Sequence, residues 1–176
     1  DLEVLATKVR IKEINISKGS LKKDSFVRLL KRLNLPVKTL EAGDQLSIFD
    51  GRAEVLYPVE VGDGSNNDSI VLYGRFYGWS FLFTGDAERP SEQAMLDSGA
   101  QLSATLLKVG HHGSSTSSKR DFLQAVSPDY AVITCDEEDM PDDSVVEFLQ
   151  ALGAKVYGTV YGQVVLTSDG LQVSVA

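Results

Sequence analysis

The feature that most narrows the folds open to this chain is a pair of apolar runs, each stopping on glycine and handing over to a residue type that binds metals. Leu106-Leu107-Lys108-Val109 leads into Gly110-His111-His112-Gly113-Ser114-Ser115, and Ser80 to Thr84 leads into Gly85-Asp86-Ala87-Glu88. Short apolar runs bounded in this way read as buried strands. His111 and His112 are the only histidines in the chain. Side chains alternate along a strand, so neighbouring histidines converge on one site only where the backbone turns, and Gly110 and Gly113 permit a turn. Two strand ends carrying Asp86 and the histidine pair predict one shared site.

A chain of 176 residues with 43% apolar content can bury one substantial core or two small ones. Its formal net charge of −8 argues against a free-standing nucleic-acid binder, because phosphate affinity comes largely from clustered Lys and Arg. A nuclease centre tolerates that charge, since bound ions supply local positive charge. The single cysteine excludes an intramolecular disulfide framework, and its place in the apolar run Tyr130 to Cys135 reads as a buried structural thiol. No apolar run reaches transmembrane length and no signal pattern opens the chain, so the polypeptide as given reads as soluble. Its start without methionine, in what reads as a strand region, is expected of a piece of a longer protein.

In chain order, the alternation from Val9 to Ile16 predicts a half-buried strand, and the stripe Phe26, Leu29, Leu30 and Leu33 predicts a helix from Asp24 or Ser25, ended by Pro36. Lys22, Lys23, Arg28, Lys31 and Arg32 make this the most basic segment, read as a solvated face. Gln45 to Phe49 and Ala53 to Tyr57 form a hairpin about Asp50-Gly51, and Val61 to Asp68 reads as a flexible surface loop. A second hairpin joins Ile70 to Tyr73 with Ser80 to Thr84. Pro90 opens a helix that Gly99 stops, and Ser103 to Val109 is the strand feeding the histidines. Ser114 to Ser118 offer N-caps for a helix through Phe122, Leu123 and Val126. After the Tyr130 to Cys135 strand, Asp142 or Asp143 caps a last helix ended by Gly153. Gln163 to Thr167 and Leu171 to Val175 form a closing hairpin. Hairpins first, then alternating strands and helices, predict an α/β fold with a mixed sheet and surface helices, forming a single domain over residues 1–176.

Carboxylate oxygen and imidazole nitrogen together suit zinc or manganese. Asp86, His111 and His112 are too few for a closed two-metal site, so the chain reads as half of one. Glu88 could add a ligand but reads more simply as a helix-dipole acid, and Ser114, Ser115, Thr116 and Ser117 read as candidate phosphate binders or plain caps.

These segments carry a resemblance. Leu82 to Glu88, Leu106 to Ser114, Ser127 to Ile133, Asn66 to Leu72 and Gly162 to Val165 together resemble the metallo-β-lactamase-like domain of the ComEC competence proteins, from about residue 40 onward. The resemblance implies a partial αββα sandwich and a metal-dependent phosphodiesterase or DNase within a DNA-uptake channel. It further implies an extracytoplasmic position, with membrane-embedded channel segments of the same polypeptide and DNA as partners. Asp86 matches the bridging metal ligand. His111 and His112 match the paired histidines, one a ligand and the other facing the scissile phosphate, their order left open.

Two departures qualify the match. The family's His-x-His-x-Asp-His motif is absent, so this chain resembles the C-terminal part of the domain, with its centre incomplete and inactive as a fragment. Met140 also precedes Pro141 where the family often has a histidine. Two alternatives stay open: a metal-free interaction or regulatory domain on the same fold, and a phosphoesterase acting on small choline or nucleotide phosphates.

Overall fold

The computed structural model describes residues 2–48, 51–168 and 173–175. The helices are α1 (Leu2–Lys8), α2 (Asp24–Leu33), α3 (Arg89–Asp97), α4 (Arg120–Val126) and α5 (Asp143–Ala151). The strands are β1 (Ile14–Ser17), β2 (Val37–Leu40), β3 (Gln45–Ile48), β4 (Gly51–Tyr57), β5 (Val71–Phe76), β6 (Trp79–Phe83), β7 (Leu106–Lys108), β8 (Tyr130–Ile133), β9 (Lys155–Gly158), β10 (Leu166–Ser168) and β11 (Val173–Val175).

Seven strands pair in sequence order, β3 through β9. The first four are antiparallel, as hairpins require, and the pairs from β6 to β9 are parallel, as helical crossovers require. Parallel strands end on a common edge. The segments after β6, β7, β8 and β9 therefore meet on one rim, the place where α/β sheets build their sites.

Period-two alternation assigns the two sheet faces. Leu82, Leu107, Ala131 and Ile133 point into the main core, where Met95 of α3, Phe122, Leu123 and Val126 of α4, and Val145 and Leu149 of α5 close over them. Their alternates Phe81, Leu106, Tyr130 and Val132 face the other way, packed with Trp79, Phe83 and Leu166 of β10. The α/β class and mixed sheet match expectation. The second layer of the expected sandwich is slight: β10 pairs antiparallel with β11, and β1 pairs parallel with β2, each as a two-stranded unit.

Several expectations are corrected. Residues 2–8 are helical, and only Ile14–Ser17 of the expected first strand pairs with a neighbour, because β2 offers partners to that half alone. The serines at 114–118 do not cap α4. Lys119 occupies the N-cap position, and the buried Glu92 carboxylate receives the N–H groups of Ser118 at 2.5 Å and Lys119 at 2.9 Å. β9 is a strand that Lys155-Val156-Tyr157-Gly158 does not announce, since its place beside β8 comes from the crossover through α5. Cys135 is half-buried, its backbone N–H and carbonyl both bonded to the Thr159 hydroxyl. Of the expected hairpin turns Asp50-Gly51 and Ser168-Asp169-Gly170, residues 50, 169 and 170 lie outside the described residues.

The loop from Val61 to Asp68 is a packed element. Asp68 is buried, receives the Gly64 N–H, and fills the space that side chains at Gly19 and Gly62 would need: an added Cβ would lie 2.2 and 2.0 Å from its carboxylate. That anchor holds the short 3₁₀ turn Asn66–Asp68 against the rim.

Candidate functional site

The rim begins where β6 ends. Thr84 Oγ1 donates to the Lys108 carbonyl at 2.8 Å, tying the end of β6 to β7, and Gly85 takes a left-handed turn at φ +56. Asp86 then projects from the turn, its N–H bonded to Ser69 Oγ at 3.1 Å.

After β7 the backbone turns more sharply. His111 and His112 both adopt left-handed conformations, at φ 44 and φ 55, and Gly113 follows at φ 80. The turn expected of Gly110 and Gly113 is made by the two histidines and Gly113. A non-glycine residue in this region costs about 1–3 kcal/mol, so surrounding contacts must hold it there. They include His111 N–H to the Gly85 carbonyl at 3.2 Å and Ser114 N–H to the His111 carbonyl at 2.8 Å. Pro141 presses on Gly113 closely enough that an added Cβ would lie 2.7 Å from its ring.

This turn sends the two rings' nitrogens to different partners, while the rings stay in edge contact with centroids 6.2 Å apart. His112 Nδ1 lies 2.5 Å from the Thr134 carbonyl. A carbonyl only accepts, so Nδ1 carries a proton, and in the neutral ring Nε2 is the nitrogen with the lone pair. That Nε2 faces Asp86 Oδ1 at 3.8 Å. His111 is enclosed instead. Its Nδ1 lies 3.1 Å from both Glu88 Oε1 and Thr116 Oγ1, and its Nε2 lies 3.3 Å from Asn66 Nδ2.

The enclosure is a network. Glu88 also accepts from Thr116 Oγ1 at 3.0 Å and Asn67 Nδ2 at 3.4 Å, and Asn67 Oδ1 accepts from Ser91 Oγ at 2.8 Å. The expected dipole role of Glu88 is thus joined by a second one, fixing His111. Ser114 Oγ is spent on Thr116 Oγ1 at 3.1 Å, and the Ser115 carbonyl on Arg89 at 2.6 Å. Both serines lie in the loop that leads from the histidines to α4.

The structure brings Asp86 and His112 together and turns His111 aside. Sequence reasoning did not name Lys108, Asn66, Asn67 or Thr134 as site residues, and named Thr116 only as a candidate phosphate binder. Only the Asn-Asn-Asp run before β5 carried a readable signal. Lys108 Nζ donates to the Gly85 carbonyl at 2.8 Å and lies 3.6 Å from Asp86 Oδ1. Burial pushes its ammonium below the usual lysine range, and Asp86 partly offsets that.

As a test of metal fit, carboxylate and imidazole are suitable donors, and His112 has the backbone acceptor on its far nitrogen that commonly orients a ligating histidine. Among the described residues, no group of three or more His, Cys, Asp or Glu side chains is gathered to hold an ion. Asp86 and His112 fit as two donors of a larger set.

Comparison with known proteins agrees with this architecture. Residues 11–135 match the family described as the metallo-beta-lactamase superfamily, whose members generally bind divalent metal ions. The chain is 30% identical over 166 residues to ComE operon protein 3 of Bacillus subtilis, covering 90% of this chain but 21% of that protein. It is 37% identical over 98 residues to competence protein ComA of Neisseria gonorrhoeae, covering 53% and 14% of the two chains. Recombination protein 2 of Haemophilus influenzae is 39% identical over 89 residues, covering 48% and 11%. Among solved structures, a mutant of CmlA beta-hydroxylase superposes with a TM-score of 0.59 at 14% identity, covering 83% of this chain and 38% of that one, a likeness of fold alone. No helix among the described residues is long and apolar enough to cross a membrane.

Proposed function

We propose that this chain, which belongs to the metallo-β-lactamase superfamily, contributes Asp86 and His112 to a metal-dependent phosphodiesterase centre acting on DNA. The observation that carries the reading is His112 Nε2 facing Asp86 Oδ1 at 3.8 Å on the shared strand-end rim, with the imidazole tautomer set by Thr134. The competence relatives support the nucleic-acid assignment. The resemblance to the ComEC competence proteins further implies a wider protein in which this part would lie on the extracytoplasmic side, joined to membrane-embedded segments.

When bound, a zinc or manganese ion supplies a hydroxide at neutral pH and stabilises charge on the phosphate oxygens. The chain's residues do the rest. Thr134 aims His112, while Ser69 and Lys108 hold the Asp86 turn. His111 is held aside by Glu88, Thr116 and Asn66 and braces the turn, and the Lys108 ammonium adds positive charge beside Asp86. Two donors make a weak site, so the chain by itself should be inactive.

The test is zinc and manganese titration, with cleavage of a labelled oligonucleotide, on this chain and on the longest form of the protein containing it. Expected are weak binding and no cleavage by the chain, and metal-dependent cleavage by the longer form that Asp86→Ala and His112→Ala abolish. Micromolar or tighter zinc binding by the chain alone, or cleavage indifferent to both substitutions, overturns the reading. One observation favours a metal-free binding domain instead: the Lys108 ammonium already stands beside Asp86. Absence of metal binding in both forms would select it.

A further inference from the structure

Beside the rim, on the far side of the loop that follows the histidines, lies a hollow of about 320 Å³. Arg89 at the start of α3 and Lys119 and Arg120 at the start of α4 line it, with the hydroxyl-bearing residues Ser115 and Ser144. Three cations around one concavity stand out in a chain with a net charge of −8. Two nearby carboxylates are hydrogen-bonded, which orients them without removing their charge. Glu92 is buried beneath them and bonded to the Ser118 and Lys119 N–H groups, and Asp142 accepts from Ser144 N–H at 2.9 Å.

The hollow is also fixed to the site. Arg89 binds the Ser115 carbonyl through its guanidinium and the Thr116 carbonyl through its N–H at 3.2 Å, while Thr116 and Glu88 brace His111. The Arg120 guanidinium lies 5.0 Å from the centre of the Phe148 ring, a cation–π contact that positions it while leaving its in-plane N–H donors to a ligand. The hollow shares the 114–118 loop with the histidine turn, so it offers a second position for a phosphate group, which a polymeric phosphodiester has and a small phosphate monoester lacks.

We propose that Arg89, Lys119 and Arg120 form a backbone subsite that holds a second phosphate of a polymeric nucleic acid, outside the reacting centre. This rests on the phosphodiesterase reading for its substrate but not for its test, which needs no metal. Fluorescence anisotropy with labelled single-stranded DNA of twelve and of two nucleotides, in a chelator and across a salt series, measures binding alone. The chain should bind the longer strand more tightly. Lys119→Glu/Arg120→Glu should weaken that binding tenfold or more, and flatten the slope of log affinity against log salt by about 1.4, the share of two cations on a single strand. The neutral pair Lys119→Gln/Arg120→Gln should fall between, and unchanged thermal midpoints would show both folded. Arg28→Glu/Lys31→Glu on α2 should change affinity less than twofold. Equal loss from the α2 pair, no loss from the hollow pair, no preference for the longer strand, or no binding by the chain overturns the subsite. None of these bears on whether Asp86 and His112 hold metal. Cleavage failing while the hollow still binds DNA would instead remove the catalytic reading and leave the subsite standing.

Discussion

The wall behind His111 and the rim before His112 are built one residue apart and on opposite principles. In the wall, Glu88, Thr116, Asn66 and Asn67 satisfy one another and both ring nitrogens. On the rim, one nitrogen is fixed by Thr134 and the other is aimed at a carboxylate across a gap too long for a hydrogen bond. Closed networks give rigidity, and open donors give chemistry. Two successive left-handed residues separate these roles, since they send adjacent side chains to different surroundings.

The largest effect that would break the contrast is on the rim. His112→Ala should abolish divalent-ion binding and lower metal-dependent cleavage by the longer protein at least 10²-fold, while the thermal midpoint of the chain stays within a few degrees. Retained ion binding would mean that the rim nitrogen is not a donor.

Next comes the wall's foundation. Glu92→Ala should destabilise the fold by about 2–4 kcal/mol in chemical denaturation, because it strands the Ser118 and Lys119 N–H groups. Burial raises the Glu92 carboxyl above its ordinary 4.5, against the pull of those two N–H donors. A raised folded value means its contribution to stability is full below about 4.5 and is lost as pH rises through the folded value. Stability measured from neutral pH downward should therefore shift in favour of the wild type relative to Glu92→Gln, and a pH-independent difference would contradict the sign.

Glu88→Gln is milder. It keeps the shape of the wall but removes the charge facing His111, at about 1 kcal/mol in stability. Ion binding at His112 should change less than threefold, and a collapse of ion binding would show that wall and rim are one unit. The smallest effect belongs to Ser114→Ala. Its hydroxyl serves only the local loop, so a change of about 0.5 kcal/mol or less is expected, with no change in DNA binding.

Much of the fold was legible because its signals are local. Pro90 and Gly99 bound α3, Asp142 caps α5 through Ser144 N–H, and the apolar runs of β5, β6 and β8 stand between turn residues. Asp86 and the histidines were legible as candidate site residues because each sits just past an apolar run. The wall was not, because Asn66, Glu88 and Thr116 are polar loop residues whose meaning lies in what they meet. Nothing in Val61 to Asp68 reveals that Asp68 is buried beside Gly19 and Gly62.

By itself the sequence determined most of the strands and helices, though not α1 or β9, and which residue types stand at the strand ends, since propensity, periodicity and capping act within a few residues. The tertiary structure decided that β6 to β9 run parallel and share a rim, that Glu92 rather than serine serves the start of α4, and that His112 rather than His111 faces Asp86. Those outcomes depend on contacts between residues about 20 or more positions apart. Their energies arise only once the sheet has closed and excluded water from the groups it brings together.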